Sequence, residues 1–389
     1  MEPVVHRPGA TADETLRAVA EVHGDRDAYV EAGGDRLTFA EWDAAADGTA
    51  AALAELGVRE GDVVALLLPS SADYAVCYQA AMRLGAITSG INPRLGPTEV
   101  ASILRRSRPR VVVGPLSSLG ESRPDTDGAL PNPIAPGTTV VDRAELRSWR
   151  TLDRPADLPT PDPARPVAVV WTSGTTGDPK GAVFDHRNLA AVSVGAGPLR
   201  APFDRRISPT PFSHVAYMTH LIEEIEYVIT TIVPATPWKA DAVLAQMAAE
   251  RVTVGQGVPS QWRLLLDRPE FDETDLGALR ICGTGAAPVP PSLVREMKAR
   301  LGVPVVIGYT STEAALTTGS RPDDSPDVIA RTVGRARENV AIRVVDDDGR
   351  VVSDGDVGNV ECRSDAVMRG YWEDAERTAA MLRPDGWLR

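Results

Sequence analysis

The opening third of the chain switches repeatedly between two hydrophobic periods, and that alternation limits the fold more than any other feature. VVALLLP (63–69) is a continuous apolar run, short enough for a strand covered on both faces. A capped helix precedes it. Thr38 and Glu41 of TFAE form a capping box, and Trp42, Ala45, Ala46, Ala52, Leu53 and Leu56 give an apolar helical face that stops at Gly57. A helix over 71–85, a strand over 86–92, a helix over 97–107 and a strand over 110–114 continue the rhythm. Strands separated by helices predict a mostly parallel, doubly wound sheet.

Prolines at 124, 131, 133, 136, 155, 159, 161, 163 and 166 break any long element between 120 and 166. A surface connection is expected there, with a short strand at TTVVD. VAVVW (167–171) is another buried-strand signal, and a second α/β stretch follows. Its predicted pieces are helices over 240–250, 259–268 and 292–302, with strands over 252–258 and 279–285. VPVVIGYTSTEA (303–314) reads as a strand running into a loop. From about 332 the pattern becomes all-β, with an Asp-Gly turn in NVAIRVVDDDGRVV and a short strand in GNVECRS.

The expected fold class is therefore α/β: two doubly wound α/β subdomains and a small, β-barrel-like C-terminal subdomain. The boundaries fall at 1–166 for the first, with 315–331 left open as a further part of it, at 167–314 for the second, and at 332–389 for the third.

A net charge of −13 disfavours nucleic acid or an anionic membrane surface as the main partner. The N-terminus MEPVVHRPGA lacks the basic-then-apolar pattern of a signal peptide, and no apolar run approaches the roughly 20 residues of a membrane helix. Cys77, Cys282 and Cys362 are far apart and without a CxxC spacing, which predicts buried free thiols in a reducing cytoplasm. The five histidines show no metal-site spacing. The number of copies in the assembly is open, a homodimer included.

The strand VAVVW delivers the chain into TSGTTGDPKG (172–181). Gly174 and Gly177 permit positive φ and close backbone approach, while Thr172, Ser173, Thr175 and Thr176 donate through hydroxyls and N–H groups, and Lys180 adds a cation. On these residues alone, a solvent-exposed Ser/Thr/Gly loop is an equal alternative to an anion cradle. A Walker loop is excluded, because Lys180 is followed by the extended pattern GAVFDH. GTGAAP (283–288) lacks the third glycine of a dinucleotide fingerprint and runs into VPP.

TSGTTGDPKG resembles the phosphate-loop signature of the adenylate-forming superfamily, which includes acyl-CoA synthetases, peptide-synthetase adenylation domains and firefly luciferase. Further motifs occur in the same order. GTGAAP is similar to the adenine-side loop, and GYTSTEA (308–314) to the Tyr-Gly-x-Thr-Glu signature, here with the order Gly308-Tyr309. GNVECRSDAVMRGYW (358–372) resembles the strand before the ligand-closing hinge, and PFSH (211–214) stands where an aromatic-His pair is usual. In this chain Ser213 lies next to His214, Phe212 is one place further off, and Ala216 replaces a common glycine.

The resemblance implies activation of a carboxylic acid by MgATP to acyl-AMP, with transfer to CoA. Thr172, Ser173, Gly174, Thr175, Thr176, Gly177 and Lys180 would cradle the β- and γ-phosphates. Thr312 would bond the α-phosphate, and Glu313 would hold Mg²⁺ together with Thr175. Tyr309 would pack on adenine beside the backbone of Gly285, Ala286 and Ala287, while His214 and Gly308 would face the acid. Thr312, Glu313, His214 and Lys180 are the catalytic candidates.

HLIEEIEYVITTIVPATPW (220–238) is expected to line the acyl pocket, with Glu223, Glu224 and Glu226 in solvent. Its apolar content points to a hydrophobic acid, and bulky alicyclic and long-chain acids both fit. Loading of a carrier protein, use of a preformed acyl-adenylate, and a non-catalytic nucleotide-binding module are the alternatives. The chain stops at DGWLR, just where the family continues with Thr-Gly-Asp, a hinge and a small C-terminal domain carrying a lysine. The sequence thus reads as the large N-terminal domain alone, with the C-terminal cap domain absent. Such a fragment is expected to bind ATP or acyl-adenylate and to turn over weakly.

Overall fold

The computed structural model describes residues 9–115, 135–155, 157–172, 178–207 and 209–389. Helices begin where short polar side chains can cap them. Thr11 accepts from Glu14 N–H while Glu14 bonds back to the Thr11 backbone, which opens the helix Ala12–His23. Thr38 and Glu41 make the expected reciprocal pair at Phe39–Glu55. Ser71 caps Ala72–Arg83, and Asp185 with Asn188 caps His186–Gly195.

The β structure among the described residues falls into two large sheets and one ribbon. One sheet runs in the order Gly370–Tyr371, Lys180–Asp185, Pro166–Thr172, Ile87–Gly90, Val63–Leu66, Val111–Val113, Thr139–Val141. Its last five strands are parallel, and the first two pair antiparallel. The other runs in the order Arg335–Ala336, Ala315–Gly319, Val305–Ser311, Ile281–Gly285, Val254–Gly257, Arg205–Ile207, Thr230–Val233, Asp27–Glu31, Arg36–Thr38. Six parallel strands form its centre, from Val305–Ser311 to Asp27–Glu31.

Sheet membership crosses the boundaries read from the sequence. Asp27–Thr38 contributes two strands to the sheet otherwise built after residue 205, while Pro166–Asp185 completes the sheet begun at Val63. Local composition shows that an apolar run needs two covered faces but not which sheet edge will accept it. The β-rich end also differs from a small barrel. Ala341–Val345 pairs antiparallel with Asn359–Arg363 as a two-stranded ribbon, and the short strands on either side of it are given to the two large sheets. TTVVD does supply the short strand Thr139–Val141.

The core between the helices Ala12–His23, Phe39–Glu55 and Ala72–Arg83 and the two sheets contains Leu16, Tyr29, Trp42, Leu53, Tyr74 and Tyr78, each almost wholly buried. A second cluster around Trp262, Cys282 and Met297 packs helices on the far face of the nine-stranded sheet. Cys77, Cys282 and Cys362 are buried free thiols. None of the described helices is long and apolar enough to cross a membrane.

Two charged groups inside this apolar mass matter to stability. The Arg83 guanidinium is 0% exposed and joins three helices, reaching Asp13 at 2.5 Å, Asp47 at 2.7 Å, and Asp43. The second is the acid triad of the Leu221–Glu226 helix, where the structure overturns the solvent-exposed reading. Glu223, Glu224 and Glu226 are all buried. Glu223 bonds Arg206 at 2.5 Å and His220 Nδ1 at 2.6 Å, Glu224 accepts from Thr231 Oγ1 at 3.2 Å, and Glu226 accepts from Ser193 Oγ at 2.6 Å. Burial opposes the ionised form of Glu223, but Arg206 and His220 outweigh it and hold its carboxyl down at about 2. Burial and the neighbouring Glu223 charge push Glu224 up to about 7, against the pull of Arg206.

Arg83→Met removes the buried cation of this cluster, leaving Asp13, Asp43 and Asp47 to the more exposed Arg17, and is expected to cost about 3 kcal/mol in denaturant unfolding. The raised carboxyl of Glu224 means that the folded chain holds its proton more tightly than the unfolded chain does. This contribution is full below the ordinary glutamate range and is lost as pH rises through about 7. Glu224→Gln should therefore gain on the wild type by about 1–3 kcal/mol between about pH 5 and pH 8. Parallel stability curves for the two proteins would assign the titration elsewhere.

Candidate active site

Beside the nine-stranded sheet lies a cavity of about 370 Å³. One wall is the end of the nine-stranded sheet, where Gln256, Gly257, Gly283–Ala286, Gly308 and Thr310 line the space. Gly285 and Gly308 are register partners, and a Cβ on Gly285 would stand 2.8 Å from the Gly308 carbonyl oxygen. Two bare strands therefore approach closely and present backbone to the cavity. Ala286 continues the path at φ 61°, in the left-handed region, and Ala286 and Ala287 are exposed. Tyr309 stands 49% exposed beside them, with its carbonyl accepting from Thr317 Oγ1 at 3.0 Å.

The opposite wall carries His214. Its segment is held from beneath by Phe212 stacked on Tyr217 at 3.7 Å, and by the Tyr217 hydroxyl bonded to Tyr29 at 2.8 Å. His214 caps the short turn Val215–Met218, with Nδ1 accepting from the Ala216 N–H at 3.3 Å. That bond assigns the ring proton to Nε2. Burial depresses the His214 pKa, so the imidazole is neutral near pH 7.

A second group forms where Thr312, Glu313 and Ala314 turn between Val305–Ser311 and Ala315–Gly319. Ala315, at φ 52°, closes this turn in the left-handed region, and Ala314 N–H bonds Ser311 Oγ at 3.1 Å. Such non-glycine conformations cost roughly 1–3 kcal/mol and persist where the surroundings hold them. The holder here is Met368–Tyr371. Met368 N–H donates to the Glu313 carbonyl at 2.8 Å, and the Tyr371 hydroxyl donates to Glu313 Oε1 at 2.6 Å. Tyr371 also pairs with Ala182 on the strand that begins at Lys180, and Lys180 Nζ lies 5.9 Å from the centre of its ring. Burial and the bond to Glu313 both raise the Tyr371 pKa, so the phenol remains a donor.

Lys180 is in register with Thr172 across an antiparallel pair, and Asp178 is fixed by Arg106 at 2.6 Å. The intervening Ser173, Gly174, Thr175, Thr176 and Gly177 lie outside the described residues, and with them the expected metal ligand Thr175.

His214, Gly285, Ala286 and Gly308 thus line the cavity, while Lys180 and Glu313 gather around Tyr371. Tyr371, within RGYW, has no role legible in the sequence; only the fold brings it to Glu313, 58 residues away. Arg206 and Arg337 on the cavity wall likewise stand in no sequence motif. The described residues include no cluster of three or more His, Cys, Asp or Glu able to hold a metal by themselves.

The pattern of the AMP-binding enzyme family matches residues 16–372. The long-chain-fatty-acid–CoA ligase FadD13 of Mycobacterium tuberculosis is 33% identical over 383 residues, covering 96% of this chain and 74% of that protein. The indoleacetate–CoA ligase of Aromatoleum aromaticum is 31% identical, covering 94% of this chain and 74% of its own. The inhibitor-bound N-terminal domain of FACL13 from Mycobacterium tuberculosis superposes with a TM-score of 0.87 at 31% identity, covering 98% of this chain and 95% of that one. Family pattern, acid–CoA ligase relatives and backbone agree with the cavity and its glycine-edged strands: the chain belongs to the AMP-binding enzyme family.

Proposed function

We propose that this chain is the acid-activating part of an ATP-dependent acid–CoA ligase, which joins a carboxylic acid to AMP and passes the acyl group to CoA. The observation that carries the reading is the placement of Lys180 and Glu313 on either side of Tyr371, beside a cavity with bare glycine backbone on one wall and neutral His214 on the other. A carboxylate must approach an already anionic phosphate. The site therefore has to fix both groups and neutralise the charge that develops as pyrophosphate leaves.

Each candidate residue has a physical task in this reading. Tyr309 offers an exposed aromatic face to adenine, next to the backbone of Gly285, Ala286 and Ala287. Thr312 donates its hydroxyl to the α-phosphate from a turn that Met368 and Tyr371 hold still. The phosphate chain extends toward Thr172 and Lys180, over the hydroxyl-rich residues 173–177. His214 presents Nε2–H to the incoming carboxylate beside Gly308, and as a neutral donor it orients the acid without tying it up as an ion pair.

Glu313 suits a magnesium ion in one respect. Tyr371 occupies Oε1, and Oε2 has no partner among the described residues. Mg²⁺ takes one or two carboxylates and otherwise water and phosphate oxygens, which is consistent with a lone protein carboxylate here. The ion would supply charge neutralisation at the departing pyrophosphate.

Glu313→Ala is expected to weaken MgATP binding, measured calorimetrically, more than binding of metal-free AMP; equal losses would remove Glu313 from the metal. Thr312→Ala should lower acid-dependent ATP–pyrophosphate exchange by about 10²–10³-fold, the usual effect of deleting one preorganised donor. Exchange at the wild-type rate would show that Thr312 does not touch the reacting phosphate.

A further inference from the structure

The cavity wall carries a cation that the residues around it do not satisfy. Arg206, His214, His220, Glu223 and Arg337 all line the space, so Glu223 is its one carboxylate among the described residues. Glu223 is already engaged, by Arg206 at 2.5 Å and by His220 at 2.6 Å, and the Arg206 guanidinium also donates to the Leu199 carbonyl at 3.0 Å. Arg337 has neither an ion pair nor a side-chain hydrogen bond among the described residues, and its Nε is buried without a partner.

This is not a surface arginine that happens to fold inward. Its guanidinium occupies a slot between two glycines. A Cβ on Gly319 would come within 1.9 Å of Nη2, and one on Gly197 within 2.3 Å of Nη1. The backbone N–H of Arg337 is fixed to the Thr317 carbonyl at 3.0 Å, and Gly319 is the register partner of Gly308. Any side chain at either glycine would fill the place that the guanidinium takes.

We propose that Arg337 binds a second, distal carboxylate of the acid substrate, so that the cavity selects dicarboxylic acids over simple alkyl acids; this rests on the acid-activating reading above. Arg206 is matched by Glu223 and, at 3.8 Å, by Glu224, whereas Arg337 has no ion pair among the described residues; its charge is one that a distal carboxylate would neutralise, in the bidentate geometry a guanidinium favours. Burial depresses the Arg337 pKa, offset only in part by the field of Glu223, as expected of a cation awaiting its partner. Leu199, Val258 and Leu316 on the same wall supply apolar contact for the carbons between the two carboxyl groups. The acid that fits is apolar in its middle and anionic at both ends, and the CoA thioester leaves the distal carboxylate free.

The test is calorimetric binding of two non-hydrolysable adenylate mimics to the full chain: octanoyl-sulfamoyl-adenosine and its 7-carboxyheptanoyl counterpart, which are equal in chain length. The carboxylated mimic is expected to bind at least about tenfold more tightly, as one charge-assisted contact implies. Arg337→Met should erase that ratio, and Arg337→Lys should restore part of it. Equal affinities for the two mimics, or an alkyl preference, in the wild type would overturn the assignment whether or not the variants fold. An undiminished ratio in a folded Arg337→Met protein would do the same. Failure of both mimics to bind the wild type would instead overturn the acid-activating reading on which it rests.

Discussion

One short segment holds two separate sheets in a common register. Met368–Tyr371 pairs with the strand that starts at Lys180 and, through a backbone and a side-chain bond, grips the turn that carries Thr312 and Glu313. Lys180 belongs to one sheet and Glu313 to the hairpin of the other. Without this clasp, a cation and a carboxylate from separate sheets would depend on side-chain packing alone for their spacing. The bond from Tyr371 also holds Oε1 of Glu313 in place. Orientation at this site is therefore set from outside the strand that bears the residue, as preorganised sites require.

Short-range chemistry was readable from the sequence. The capping pair Thr38–Glu41 appears as expected, and the helix and strand signals between 63 and 114 lie within a few residues of the observed elements. The helix Ala12–His23 carries the same Thr-x-x-Glu signature, at Thr11 and Glu14, and was open to the same reading. The glycine at 285 has a local requirement of the same kind, because a Cβ there would stand 2.8 Å from the Gly308 carbonyl oxygen on the paired strand.

Long-range pairing was not readable. The acids at 223, 224 and 226 sit on a helix of six residues, too short for periodicity to separate a wet face from a dry one. What buries them is Arg206 on a strand, Thr231 on the next strand, and Ser193 on another helix. The division of strands between sheets escaped for the same reason. Asp27–Glu31 and Thr230–Val233 become neighbours across 200 residues of chain, and nothing local to either marks the other. Tyr371 and Arg337 acquire meaning only from partners present or missing in space.

The margins of the sheets have a consequence for how the molecule behaves among copies of itself. Among the described residues, the outermost strands are Arg36–Thr38, Arg335–Ala336, Thr139–Val141 and Gly370–Tyr371, each only two or three residues long. Arg36 ties its margin to Asp27 and Glu250, and Arg335 ties another to Asp324. Unpaired N–H and C=O groups at such ends offer an incoming strand almost no ladder to extend, and charged side chains interrupt what remains. A large β structure built this way is guarded against growing into sheet-to-sheet aggregates, even at high concentration in the cell.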